Sequence, residues 1–132
     1  MDIRFKKGIP GLEGLKNFKI LDLEDNEQFK ILQSMEEENV SFVVANPFEI
    51  YKEYVIDLND EIIKELEIKN SEDVLVLSII TLGETLEKST LNLKAPLIMN
   101  IKNNLGRQLI LQSEKYETKH PLMRSEKYVS NY

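Results

Sequence analysis

Short apolar runs separated by turn-forming residues restrict the possible folds of this chain more than any other feature. In the first half they occupy residues 17–23, 28–34, 40–45 and 51–58. Runs of this length that alternate apolar with polar residues, or that are β-branched and bounded by Asn, Asp or Pro, are typical of β-strands. We therefore predict a hairpin from the first two runs, a central strand from the third and a further strand from the last.

The second half contains the most hydrophobic run of the sequence, residues 74–82, which is predicted to be the centre of the core. Two more strands are predicted around Leu91 and across residues 97–101. A turn at residues 102–106, rich in Asn and ending in Gly, then leads to a final strand at residues 107–112. The chain is thus expected to contain seven or eight short strands.

One short helix is predicted after Leu58. Asn59 is a favourable N-cap, and Asp60 and Glu61 suit the positive start of a helix. Leu58 and Ile63 also have the spacing of a hydrophobic staple. One helix among so many strands provides too few crossovers for a parallel sheet, so the predicted fold is all-β: an antiparallel sandwich or a small antiparallel β-barrel-like domain with one short α-helix.

The length and the pattern predict a single domain. A chain of 132 residues buries enough apolar surface to form a core without a disulfide. We expect residues 1–122 to form the β domain. Residues 123–132 lack periodicity and are expected to form a flexible C-terminal tail.

Composition narrows the classes of function. The chain has no cysteine, which excludes disulfides and Cys-based zinc sites, and no apolar run long enough for a signal peptide or a membrane span, so we expect a cytoplasmic protein without membrane contact. The net charge of −6 opposes direct binding to nucleic acid. Seven acidic side chains in residues 22–38 are placed to attract a basic partner, although solvated turns explain the same cluster.

Catalysis has few candidate residues. His120 is the only histidine, and no serine lies in a Gly-x-Ser-x-Gly turn. Gly8-Ile-Pro-Gly11 has the wrong spacing for a phosphate loop and is predicted to form a turn at Pro10 and Gly11. We expect no cofactor and no metal, and a hydrolase that uses His120 is the third hypothesis for function.

Seven motifs spread over nearly the whole chain resemble, in order, those of the flagellar assembly factor FliW family. They are Phe5-Lys-Lys-Gly-Ile-Pro-Gly-Leu-Glu13, Phe29-x-x-Leu-Gln-Ser34, Ser41-Phe-Val-Val-x-x-Pro-Phe48, Asp73-Val-Leu-Val-Leu77, Thr90-x-Asn-Leu-Lys-Ala-Pro-Leu-Ile-x-Asn-Ile101, Gly106-Arg-Gln108 and Tyr116-x-Thr-x-His-Pro-Leu122.

The resemblance implies a small, all-β, cytoplasmic protein without enzymatic activity. Such a protein binds flagellin before export. When free of flagellin, it binds the RNA-binding regulator CsrA and allosterically stops CsrA from repressing flagellin translation. The runner-up hypothesis is a barrel-type module that binds nucleic acid or a small ligand.

Several polar and turn residues recur in these motifs without an obvious role in the core, and we predict that they bind the partners. An alternative for three of them is that Asn92 and Asn100 cap turns and that Pro96 ends a strand. The predicted partner-binding residues are Asn92, Pro96, Asn100, Tyr116, Thr118, His120 and Pro121.

The chain departs from the family pattern at two places. Members of the family usually have a further strand or hairpin before the segment that matches residues 2–5, and an absent strand would leave an unpaired sheet edge prone to self-association. Leu12 stands where the family more often has Phe, a change that repacking of the core can absorb.

Overall fold

One β-sheet runs through the part of the chain that the computed structural model describes, residues 1–123. The predicted tail lies outside the described residues except for Met123. Two short helices, α1 (Pro47–Ile50) and α2 (Asp60–Glu65), and two 3₁₀ turns, Ser71–Asp73 and Leu86–Lys88, lie between strands. The strands in these residues are β1 (Asp2–Arg4), β2 (Asn17–Leu23), β3 (Asn26–Ser34), β4 (Ser41–Ala45), β5 (Val74–Thr81), β6 (Thr90–Leu91), β7 (Leu97–Asn100), β8 (Leu105–Gln108) and β9 (His120–Pro121).

The sheet curls into a partly closed ring. Its order is β4-β3-β2-β1-β8-β7-β5-β6-β9, and an additional pairing of β4 with β5 closes the ring. The pairing of β1 with β8 is parallel and consists of Arg4 opposite Leu105, whereas the other pairings are antiparallel. The predicted all-β, barrel-like fold is confirmed. Strand β1 has a neighbour on both sides, so the unpaired edge considered above does not occur at this strand.

Strand β5 has the central position that its hydrophobicity predicts. It pairs with β7 and β6 along one edge and with β4 along part of the other. Successive side chains of a strand point to opposite faces. Leu75 and Leu77 therefore contribute to the interior cluster with Phe18, whereas Val74 and Val76 point outward.

Helix α2 covers part of the outer face of the ring. The side chain of Asn59 accepts a hydrogen bond from the backbone N–H of Ile62 at 2.9 Å, which confirms the predicted N-cap. Ile62 and Leu66 are buried against Ile98 of β7. A helix of six residues covers only a short length of this apolar face, and the uncovered remainder is important for the site described below.

Residues 51–58 do not form the predicted strand. Asn46 instead caps α1, with Pro47 at the first helical position, and the segment after α1 pairs with no strand among the described residues. The alternation of Tyr54, Ile56 and Leu58 is real. It serves side-chain packing rather than a hydrogen-bonded ladder, because these residues join two different apolar clusters.

The turn between β7 and β8 is shorter than predicted. Asn104 has a φ of 61° and takes the left-handed position, so Gly106 belongs to β8, and β8 ends at Gln108 rather than continuing to residue 112. Glycine is required at position 106 because there is no space for a side chain, and not because of a turn. A Cβ at this position would lie 2.8 Å from a ring carbon of Phe5 and 2.9 Å from Ile3.

The turn predicted at Pro10 and Gly11 is confirmed. Gly11 has a φ of 88°, and the backbone N–H of Leu12 donates to the carbonyl of Ile9 at 2.7 Å. These are the features of a type II turn, which favours Pro followed by Gly.

Candidate partner-binding groove

An apolar groove lies beside α2 on the outer face of the ring. We call it the α2 groove; its volume is about 440 Å³. Its lining residues come from α1, the segment that follows it, α2, the loop after α2 and β5. They are Phe48, Ile56, Leu58, Ile63, Ile68, Lys69, Ser71, Val74 and Val76.

The local sequence explains why the groove is open. Val74 and Val76 belong to the outward face of β5, and α2 ends before covering them fully. Phe48, a lining residue on α1, is 38% exposed. A concave surface lined mainly by apolar side chains is typical of sites that contact another molecule.

A second cavity has a different character. It lies near the β1–β8 seam, measures about 480 Å³ and is lined partly by Arg4, Asn17 and Glu36. The carboxylate of Glu36 accepts hydrogen bonds from the backbone N–H groups of Asn17 and Lys16, each at 2.8 Å, and these bonds lower its pKa. Glu36 therefore anchors the start of β2, and this part of the acidic cluster at residues 22–38 has a structural role.

Two features are absent from the part of the chain that the structure describes. Residues 1–123 contain no group of three or more His, Asp or Glu side chains that is arranged to hold a metal ion. Within the same residues, no helix has both the length and the apolar character that crossing a bilayer requires.

An aromatic cluster lies next to the α2 groove and connects it with the C-terminal part of the described chain. The rings of Phe48 and Tyr54 are 5.4 Å apart, and those of Tyr54 and Tyr116 are 4.7 Å apart. The hydroxyl of Tyr54 donates to the carbonyl of Leu93 at 2.6 Å, and the hydroxyl of Tyr116 accepts from the backbone N–H of Val55 at 3.1 Å. These contacts fix the segment that forms one wall of the groove.

His120 belongs to the same cluster. Its Nε2 accepts a hydrogen bond from the backbone N–H of Glu117 at 2.8 Å, and its ring packs edge-on against Tyr51 at 5.5 Å. The bond uses the nitrogen lone pair that a general base requires. The arrangement therefore gives His120 a role in shaping the turn before β9.

The other predicted partner-binding residues divide into two groups. Asn92 closes a turn through a bond from the N–H of Ala95 at 2.9 Å, while Thr118 and Pro121 are exposed. Pro96 and Asn100 are buried, and Asn100 lies under the C-terminal end of α2. The structure thus brings Tyr116 and His120 together, whereas Asn100 lies apart from them, under α2. Partner binding by the seven residues remains a prediction.

Sequence reasoning missed most of the α2 groove. The spacing of Leu58 and Ile63 indicates a hydrophobic staple, and residues 74–82 indicate a core strand, but neither pattern indicates a groove. The combination of the lining residues depends on where the chain departs from the sheet after Pro47. The available signal was a set of apolar residues in a segment whose first residue, Pro47, cannot continue a ladder.

Removal of the Tyr54 hydroxyl is expected to destabilise the wall of the groove. Burial, with a smaller contribution from Tyr116, raises the pKa of Tyr54. The stability that the neutral hydroxyl contributes is therefore fully present below the unfolded-state pKa of about 10, and it declines as the pH rises from there toward the raised folded-state pKa. We expect Tyr54→Phe to lower the free energy of unfolding by about 1 to 2 kcal/mol at neutral pH.

The measurement is urea denaturation of both proteins from pH 7 to about pH 11. The difference in free energy of unfolding between the wild type and Tyr54→Phe is expected to shrink above about pH 10, because Tyr54 then ionises in the unfolded chain while it stays neutral in the folded one. An equal difference at all pH values would contradict a role for the ionisable hydroxyl.

The fold and the groove define a class: a small β-barrel-like domain with an apolar surface on its outer face. The family model described as FliW protein matches residues 1–122. The flagellar assembly factor FliW of Clostridioides difficile (strain 630) is 50% identical over 126 residues, which cover 96% of this chain and 97% of the relative. This chain belongs to the FliW family of flagellar assembly factors.

Two further comparisons agree with this assignment. The flagellar assembly factor FliW of Clostridium novyi (strain NT) is 50% identical over 122 residues, covering 92% of this chain and 85% of the relative. A solved structure described as a crystal structure of the flagellar assembly factor FliW superposes with a TM-score of 0.89 at 38% identity. The superposition covers 95% of this chain and 87% of that one.

Proposed function

We propose that this chain is a non-enzymatic, cytoplasmic flagellar assembly factor that binds flagellin. When free of flagellin, it binds CsrA and allosterically relieves the repression of flagellin translation. The observation that carries the proposal is the match to the FliW family over residues 1–122. The relatives are named assembly factors, and that name refers to no reaction.

Two physical features support a role in binding polypeptides. The α2 groove presents apolar side chains on the outer face, where a partner can reach them. The net charge of −6 favours encounter with a partner that handles RNA and is therefore basic on part of its surface. The same charge opposes direct binding of RNA by this chain.

The test uses the purified chain with purified flagellin and purified CsrA. We expect separate complexes with each partner by isothermal titration calorimetry, and we expect added flagellin to displace CsrA. In a gel-shift assay, the chain should release flagellin leader RNA from CsrA without binding that RNA itself. Absence of both complexes would overturn the proposal, and direct, salt-sensitive binding of RNA by this chain would favour the nucleic-acid module instead.

A further inference from the structure

The second edge of β5 is open beside the α2 groove. Residues 74–77 of β5 pair with β7 along one edge, but β4 pairs only with residues 78–80 on the other. Strand β4 ends at Ala45, and the chain then turns into α1 at Pro47, which has no N–H to continue the ladder. Among the described residues, no strand lies against residues 74–77 on this side.

The alternation of the strand identifies which backbone groups face the open edge. The carbonyl of Asp73 accepts from the N–H of Ile101 and so faces β7. Because backbone groups alternate along a strand, those of Leu75 also face β7, whereas the N–H and carbonyl of Val76 face the opposite edge. Residues 74, 75 and 76 are all partly exposed, as expected where a central strand begins without its second neighbour.

The surroundings of this edge are acidic. Residues 47–73, which supply most of the groove, carry nine acidic and three basic side chains. Glu65 is neutralised by ion pairs with Arg107 and Lys7, and Asp73 is buried. Exposed acidic residues that directly adjoin lining residues in the chain are Glu49, Asp57, Glu67 and Glu72, whereas the basic residues in or next to the lining are Lys64 and Lys69.

These three observations specify the chemistry of an occupant. An extended segment can add to an unpaired strand edge through main-chain hydrogen bonds, while its alternate side chains enter a neighbouring pocket. The α2 groove supplies an apolar pocket for such side chains. The acidic surroundings favour Lys or Arg beside them.

We propose that the open edge of β5 and the α2 groove together bind an extended segment of a partner polypeptide in which apolar side chains are flanked by Lys or Arg. The partner strand pairs with β5 at Val76, beyond the end of β4 at Ala45 and beside α1, which itself approaches β5. This inference deepens the proposed function and depends on it for the partners to be tested.

The decisive measurement is amide hydrogen exchange of the full chain, free and in complex with purified flagellin or purified CsrA. Strand addition is expected to slow exchange of the Val76 amide about tenfold or more in at least one complex. The amides of Leu75 and Leu77 are the internal control, because they already face β7. Unchanged exchange at Val76 in both complexes would overturn the proposal. A partner helix that fills the groove without pairing with β5 would give this result.

Charge reversal provides an independent test with variants outside the core. Asp57→Lys combined with Glu49→Lys is expected to weaken binding of the same partner about tenfold and to reduce its salt dependence. The matched control is Glu84→Lys combined with Glu87→Lys, two exposed acidic residues in the loop before β6, which should bind like the wild type. Equal binding by all three proteins would argue against an acidic rim that selects basic flanks.

The outcomes separate this inference from the proposed function. If the wild type binds neither flagellin nor CsrA, the proposed function fails. If the wild type binds a partner, but the exchange of Val76 is the same as in the free protein and the charge variants bind like the wild type, only the present inference fails. Protection of Val76 that appears without a partner and increases with protein concentration would assign the edge to a second copy of this chain and would also overturn the proposal.

Discussion

Leu77→Ala is expected to lower the free energy of unfolding by about 2 to 5 kcal/mol, a large part of the stability of a domain of this size. Leu77 is 2% exposed and belongs to the interior cluster that includes Phe18 and Leu32. It lies opposite Leu97 in the pairing of β5 with β7. Truncation therefore removes apolar contacts from the centre of the ring and leaves a cavity that the surrounding cluster and the ladder between β5 and β7 prevent from closing.

Urea denaturation measures this loss, and two leucines provide matched controls. Leu21→Ala removes the same atoms from a side chain that is 41% exposed on β2, so it should change stability by less than about 1 kcal/mol. Leu75, on the same strand as Leu77 but only partly buried, should give an intermediate loss. A midpoint for Leu77→Ala equal to that of Leu21→Ala would show that β5 is not the centre of the core.

The parts of the fold that could be predicted from the sequence are those determined by neighbouring residues. The alternation in residues 17–23 identifies β2 because one face of that strand is buried. Asn59 identifies the start of α2 because its side chain bonds to a backbone group three residues later. Pro10 and Gly11 specify their turn through their own backbone preferences.

The parts that could not be predicted depend on contacts between distant residues. The alternating pattern of residues 51–58 fits a strand equally well, but Tyr54 bonds to Leu93, which is 39 residues away, and this contact fixes the segment beside the sheet. Gly106 fits a turn in the sequence, but the approach of Phe5 and Ile3 decides its role. Local pattern cannot reveal which chain segment passes over a given residue.

The same distinction applies to the candidate site. The motif residues Tyr116 and His120 recur in the family pattern. In the structure, the hydrogen bond of Tyr116 holds the segment that forms the wall of the α2 groove, whereas that of His120 shapes the turn before β9. The groove itself arises where β4 stops, α1 begins and α2 ends. No single sequence motif spans all three of these positions. The open edge of β5 can therefore be recognised only in the assembled sheet.

Asn100→Ala is expected to lower the free energy of unfolding by about 2 to 3 kcal/mol. Asn100 is 2% exposed. Its amide nitrogen donates to the carbonyls of Leu66 at 2.8 Å and Glu67 at 3.1 Å, and its amide oxygen accepts from the N–H of Lys102 at 2.9 Å. Alanine leaves the Glu67 and Lys102 groups without these partners, whereas the Leu66 carbonyl keeps a bond from Asn103 at 3.1 Å.

The position of Asn100 makes this loss larger than that of an ordinary polar contact. Glu67, two residues after the end of α2, has a φ of 53° and belongs to a Schellman motif, in which the N–H of Ile68 donates to the carbonyl of Ile63 and that of Glu67 donates to the carbonyl of Lys64. A left-handed conformation is unfavourable for a residue with a side chain, so bonds from Asn100 help to hold it. The amide thereby attaches the end of α2 to β7.

The comparison with Asn92→Ala separates the structural role of Asn100 from the predicted role in partner binding. Asn92 is partly exposed and closes one turn, so its removal should cost about 1 kcal/mol or less. Thermal unfolding gives the stability of each variant, and titration with flagellin and CsrA well below the transition gives the affinity of the folded molecules. A large loss of stability with unchanged affinity identifies Asn100 as a residue that positions α2. Unchanged stability with lost affinity would instead support direct contact with a partner, which would require the end of α2 to move away from β7.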